Sequence, residues 1–178
     1  NTDDPVKLTA IFTTFNQIAE QGIRIVLPLH PRTRKYLSDL EQSSDTNAVS
    51  FHSNLEMVDP VGYLDMVSLE KHARAIFTDS GGVQKEAFFM GVPCVTLRPE
   101  TEWTETIDAG WNTLCSADAD RIFAAWETIK QCDLGKPPFG GKQKKEGAEG
   151  PEALNMPYGD GHASEKIIDI ILASCKKS

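Results

Sequence analysis

Short apolar runs alternate with helix-patterned stretches along almost the whole chain, and this alternation constrains the fold more than any other feature. Leu8, Ile11, Phe12, Phe15, Ile18 and Ala19 recur at the spacing of one helical face. Thr2, Asp3 or Asp4 can cap that helix, Pro5 suits its first turn and Gly22 its end. Residues 23–27 read as a strand, and 48–51 and 55–58 are short strand candidates. Asp59-Pro60 opens a helix whose apolar side holds Tyr63, Leu64, Val67 and Met66. Ala75-Ile76-Phe77-Thr78 is a strand of the buried type, and residues 83–90 form a helix closed by Gly91. A strand at 93–97, a helical stretch at 104–109, a brief strand at 113–115 and a helix at 118–131 follow. The last helix spans 163–173, with Ile167, Ile168, Ile171 and Leu172 turned inward. Strands separated by helices pair in parallel, and the fold class predicted is α/β, a doubly wound parallel sheet covered on both faces. The strands lack strict polar–apolar alternation, as burial on both faces demands.

At 178 residues the chain is one domain in length, large enough to need no disulfide or metal to hold its core. Its formal charge of −8 repels phosphate backbones and argues against a nucleic-acid partner. No apolar run reaches the ~18 residues that a membrane span requires. Cys94, Cys115, Cys132 and Cys175 are scattered, with no C-x-x-C pair and no histidine at metal spacing. They read as reduced thiols of a cytoplasmic protein with no metal site. The stretch 135–157 is rich in Gly, Pro and Lys without periodicity and is predicted to be a flexible insertion. The chain lacks an initiator Met and runs from Asn1 straight into a helix, which reads as a piece of something longer.

Parallel α/β sheets place ligands at the carboxyl ends of their strands. There the 75–78 strand runs through Asp79-Ser80-Gly81-Gly82 into a helix. The glycines let a ligand approach the backbone and permit φ > 0. The amides of Gly82, Val83 and Gln84 point out of the helix start and, with its dipole, make an anion site that needs no net positive charge. Ser80 adds a hydroxyl. Two glycines alone make no more than a tight turn, but Glu86 lies four residues past Gly82, roughly 6 Å along the helix at ~1.5 Å per residue. That is about the step from a phosphate to its ribose, whose diol a carboxylate can accept; without the turn before it, Glu86 would read as a solvated residue paired with Lys85 or Arg98. Arg98 emerges at the same edge and reads equally as a phosphate or sugar contact and as a partner for Glu100 or Glu102. His30 also sits at this edge, after the first strand. There is no Walker A motif, no G-x-G-x-x-G, no H-E-x-x-H and no Ser-His-Asp ordering.

Thr78-Asp79-Ser80-Gly81-Gly82-Val83-Gln84-Lys85-Glu86-Ala87, then Gly91-Val92-Pro93, Leu97-Arg98, Thr101-Glu102 and Ala109-Gly110, resembles the signature of the non-hydrolysing UDP-N-acetylglucosamine 2-epimerases. His30-Pro31, Pro60 with Tyr63, and Tyr158-Gly159-Asp160-Gly161 match in the same order. The resemblance implies a glycosyltransferase-B-like architecture of two Rossmann-like halves, of which this chain is the carboxyl half: a single UDP-binding domain over 1–178. Asn1 then matches the last residue of the segment linking the halves. The family reaction removes UDP across C1–C2 of the sugar and adds it back with C2 inverted, using no redox cofactor or metal. By position, Ser80, Gly81 and Gly82 would hold the diphosphate and Glu86 the ribose. His30 would lie near the nucleotide or a second sugar-nucleotide site, and Met66, where the family often has an aromatic residue, close to the uracil. Arg98 and Glu102 would be further substrate contacts. Trp103 stands where the family often has Arg, which removes an anion contact. The Glu102-Trp103 form, with Trp111-Asn112 after it, is closer to the branch acting on UDP-2,3-diacetamido-2,3-dideoxyglucuronate. The resemblance further implies a UDP-sugar ligand, an amino-terminal half carrying most acid–base groups, a homodimer, and no activity for this piece alone. The donor half of a UDP-sugar glycosyltransferase, or a non-catalytic nucleotide-binding domain, are the alternatives.

Overall fold

The structure, a computed structural model, describes residues 4–29, 33, 34, 37, 51–141, 158, 159 and 161–175. The chain divides into two compact units, Asn1–Gly141 and Lys142–Ser178.

In the first unit, α1 (Pro5–Glu20) begins where the Asp4 carboxylate accepts the amide of Val6 at 3.0 Å, and it ends before Gly22 at φ +84°. Its apolar stripe of Leu8, Ile11, Phe12, Phe15 and Ile18 is buried. β1 (Ile25–Pro28) pairs in parallel with β2 (Leu55–Val58). α2 (Tyr63–His72), β3 (Ile76–Thr78), α3 (Gly81–Met90), β4 (Cys94–Thr96), α4 (Thr104–Asp108), β5 (Asn112–Leu114) and α5 (Ala119–Gln131) follow. β4 is the centre of a parallel ladder, with Ile76 opposite Cys94 on one side and Cys94 opposite Asn112 on the other. Both its faces are covered, so Cys94, Val95 and Thr96 are all buried.

The main core joins α1, the strands and α5. Phe15 meets Phe77 edge-on at 5.4 Å and Phe12 meets Phe51 at 5.3 Å. Ile122, Trp126 and Ile129 of α5 complete it, and the Trp126 indole donates to Gln21 Oε1 at 3.2 Å. Among the described residues every strand pair is parallel, as the alternation predicts, but the strands form two ladders, β1–β2 and β3–β4–β5. Between them lies a cavity of about 710 Å³ whose walls include Leu27, Met66, Glu70, Phe77 and Leu97.

Residues 48–50 of the candidate strand at 48–51 lie outside the described residues, and Phe51 is in no strand. Of the stretch 135–157, residues 135–141 are described. There the Phe139 amide donates to Gly110 O at 3.1 Å, and its ring packs against the core. In the second unit, α6 (Ala163–Cys175) is a regular helix. Within that unit Ile167, Ile168, Ile171 and Leu172, expected to turn inward, are each more than half exposed. No helix among the described residues is long and apolar enough to cross a membrane.

Candidate functional site

β3 ends at Thr78, whose hydroxyl accepts the Ser80 amide at 3.0 Å and turns the chain toward α3. Ser80 is the N-cap in extended conformation, φ −84° and ψ 125°, yet its side chain makes no cap hydrogen bond. The first bond within the helix runs from the Gln84 amide to Ser80 O at 3.2 Å. The amides ahead of that bond therefore belong to Gly81, Gly82 and Val83. This shifts the expected trio of Gly82, Val83 and Gln84 by one residue, because the helix starts two residues earlier than its apolar pattern shows.

The two glycines serve for a different reason from the one expected. Neither has positive φ. A Cβ on Gly81 would lie 2.5 Å from Glu102 Oε1 and 3.1 Å from Trp103 Nε1, so it would displace the Glu102 carboxylate and crowd the indole. On Gly82 a Cβ would meet only the Ser80 hydroxyl, at 3.8 Å. Gly82 thus leaves an open face beside the helix start, where partial positive charge collects.

Glu86 follows one turn along α3 and is half-buried. Its expected competitors are otherwise engaged. Lys85 Nζ sits 4.1 Å over the Trp103 ring, and Arg98 Nη1 lies 3.3 Å from Glu102 Oε2. Of the two roles open to Arg98, this structure shows the pairing with Glu102. The Glu86 carboxylate makes no hydrogen bond or ion pair among the described residues and remains an acceptor in wait.

A second carboxyl stands behind it. Glu70 of α2 is buried, and neither of its oxygens has a hydrogen-bond partner. Burial first, and the negative charge of Glu86 second, push its pKa up to about 7. Sequence reasoning missed it, although the signal was present: Glu70 follows Met66 and Val67 by four and three residues, on the side of the helix read as apolar.

The loop between β4 and α4 is held by buried polar groups that were also missed. The Thr101 hydroxyl donates to Gln84 Oε1 at 2.6 Å and accepts the Trp103 amide at 3.1 Å. Asn112 Nδ2 donates to Gln84 Oε1 at 3.3 Å and to the Thr106 hydroxyl at 3.0 Å, while its carbonyl accepts from the Thr96 hydroxyl at 2.8 Å. This network fixes the loop against the first turn of α3 and brings Glu102, with Arg98 paired to it, beside Gly81. His30 lies outside the described residues. Met66 is half-buried on α2 and faces the cavity between the ladders. The arrangement offers backbone donors and a hydroxyl for an anion, and one turn away a carboxylate for a hydroxylated partner.

The family model for UDP-N-acetylglucosamine 2-epimerase matches residues 1–172. A UDP-N-acetylglucosamine 2-epimerase homolog of Methanococcus maripaludis is 39% identical over 171 residues, 96% of this chain and 41% of the relative. The UDP-2,3-diacetamido-2,3-dideoxy-D-glucuronate 2-epimerase of Pseudomonas aeruginosa is 40% identical over the same shares. Among solved structures, the Methanocaldococcus jannaschii UDP-GlcNAc 2-epimerase in complex with UDP-GlcNAc and UDP is similar, with a TM-score of 0.70 at 31% identity, over 97% of this chain and 42% of that one. The chain thus spans about two fifths of the length of these relatives.

Proposed function

The chain belongs to the UDP-N-acetylglucosamine 2-epimerase family, and from that premise we propose that it is the UDP-gripping, carboxyl-terminal half of a UDP-sugar 2-epimerase. The observation that carries this reading is the start of α3, with the Gly81, Gly82 and Val83 amides ahead of the first helical bond and an unengaged Glu86 one turn on. The amides and the Ser80 hydroxyl receive the diphosphate. Glu86 accepts the ribose diol, and Met66 and His30 are further contacts to the base or to a second sugar nucleotide. Arg98, once released from Glu102, reaches the phosphates.

In this reading the chemistry is an elimination followed by a re-addition. The C2 proton leaves to a base, the C1–O bond breaks toward UDP, and a C1–C2 double bond forms. UDP then returns to C1 as a proton is delivered to the opposite face of C2. The contribution of this chain is to hold the leaving group through both halves of the cycle, so that re-addition stays effectively intramolecular. The groups that move the C2 proton lie in the amino-terminal half of the complete enzyme, which functions as a cytoplasmic homodimer. The Glu102-Trp103 pattern and the 40% identity to the Pseudomonas aeruginosa enzyme support a diacetamido-uronate sugar as substrate.

Calorimetric titration with UDP tests the assignment. Glu86→Ala should weaken binding by about 1.5–3 kcal/mol, the scale of a hydrogen bond to a charged group. An unchanged affinity removes Glu86 from the site.

A further inference from the structure

The carboxylate of Glu102 already rests against the helix start that the preceding reading gives to the diphosphate. Its Oε1 is the nearest atom to the position a Gly81 Cβ would take, at 2.5 Å, while its Oε2 lies 3.3 Å from Arg98 Nη1. One carboxylate thus stands beside Gly81 in the first turn of α3 and pairs with the one arginine of the β4–α4 loop. A diphosphate at the Gly81–Val83 amides would meet this charge at close range, and two anions do not share one cradle. We propose that Glu102 is an internal anion that stands beside the phosphate cradle and gates the nucleotide, so that binding requires the carboxylate to swing away and its departure sets the affinity for the diphosphate. The inference rests on the reading of α3 as the diphosphate site.

The structure also says which part moves. The backbone on both sides of Glu102 is pinned. Thr101 is bonded to Gln84 and to the Trp103 amide, Trp103 O accepts the Thr106 hydroxyl, and the Trp103 ring lies under Lys85. The Glu102 side chain itself is 50% exposed, and no described hydrogen bond other than that to Arg98 holds it. The gate is therefore a rotation of one side chain, not the opening of a loop. Swinging Glu102 outward frees Arg98 in the same motion, so a single event removes a negative charge from the cradle and uncovers a positive one beside it. A carboxylate at a helix start and an exposed ion pair each contribute modestly. Together they favour the closed arrangement by roughly three- to tenfold, and the apparent dissociation constant for a ligand of the open form rises by about that factor. Such a gate suits a protein that must retain its leaving group during a reaction yet release it afterwards.

Calorimetry with UDP and with uridine on the full-length protein separates the possibilities. Glu102→Gln and Glu102→Ala should tighten UDP by roughly three- to tenfold and leave uridine unchanged, because only the phosphates compete with the carboxylate. UDP affinity that is unchanged or weaker in variants that melt as the wild type does would overturn the gate while leaving the nucleotide site standing. Equal tightening of uridine would overturn it too, by placing the effect away from the phosphates. If the wild type binds no UDP and Glu86→Ala changes nothing, the nucleotide reading falls and the gate with it. A structure of the wild type with UDP gives a second test that needs no variant. Glu102 should lie away from Gly81 there, and a carboxylate still in place beside a bound diphosphate would refute the proposal.

Discussion

Replacing Glu70 by Gln should flatten the dependence of stability on pH, and the structure sets how far. Glu70 is 2% exposed with no partner for either oxygen, and its pKa is pushed from 4.5 to about 7 by burial and then by Glu86. Between these two values the folded protein keeps a proton that the unfolded chain has released, so stability falls as pH rises. The contribution is complete below about pH 4.5, is lost through pH 7 and does not change above it. A shift of this size amounts to about 3 kcal/mol, since each pKa unit is worth roughly 1.4 kcal/mol. The amide of Gln has nearly the same volume and no charge at any pH. Urea unfolding of both proteins from pH 4.5 to 8.5 gives the assay. The wild type should lose about 3 kcal/mol relative to Glu70→Gln across that range, and taking the difference cancels every other titrating group. Parallel curves would show that Glu70 ionises in the folded protein as freely as in the unfolded one, and the argument from burial would be wrong.

Three further outcomes are expected. Gly110→Ala should destabilise the fold by roughly 2–4 kcal/mol in thermal or urea unfolding, because φ is +77° and the new Cβ would lie 2.6 Å from the Gly141 amide nitrogen; a loss below about 1 kcal/mol contradicts that packing. Thr101→Val removes two hydrogen bonds at nearly constant shape and should cost about 1–3 kcal/mol in the same assay, with UDP affinity falling as the loop loosens; a neutral variant means that the network does not hold the loop. The 178-residue chain on its own should not epimerise a UDP-sugar, and deuterium entering C2 in D₂O during incubation with the isolated chain would refute the division of labour.

The strands around the site were legible because their residues are unambiguous. Ile76-Phe77-Thr78 and Cys94-Val95-Thr96 are compact apolar or β-branched runs bounded by turn residues, and a buried parallel strand needs nothing else. Helix starts were read less well. Gly81 and Gly82 look like turn in sequence but lie inside α3, and only Gly81 is closely approached, by the side chains of Glu102 and Trp103. Ser80, Gly81, Gly82 and Glu86 emerged as a group because strand, turn and helix follow one another along the chain. Gln84, Thr101 and Asn112 did not, because each is explained only by a partner far away in sequence. Asn112 is 28 residues from Gln84, and no local pattern announces that their side chains share a buried bond. Glu70 was passed over for a related reason: an acidic residue on a helix reads as solvated until the packing shows that water is excluded. The break between the β1–β2 and β3–β4–β5 ladders has no counterpart in the sequence pattern, since both sides read as ordinary strands.

The docking of residues 135–141 has a practical corollary. Gly110 leads into β5, and the pocket floor formed by Val92 and Pro93, just before β4, also includes Gly135 and Lys136. That face is therefore the rim at which the strands begin, opposite the rim where α3 starts. Cargo spliced beside the exposed Lys136, a fluorophore or an affinity handle, would be tethered at the opposite end of the strands from the start of α3, an attachment point for surface immobilisation that leaves the proposed nucleotide site uncovered.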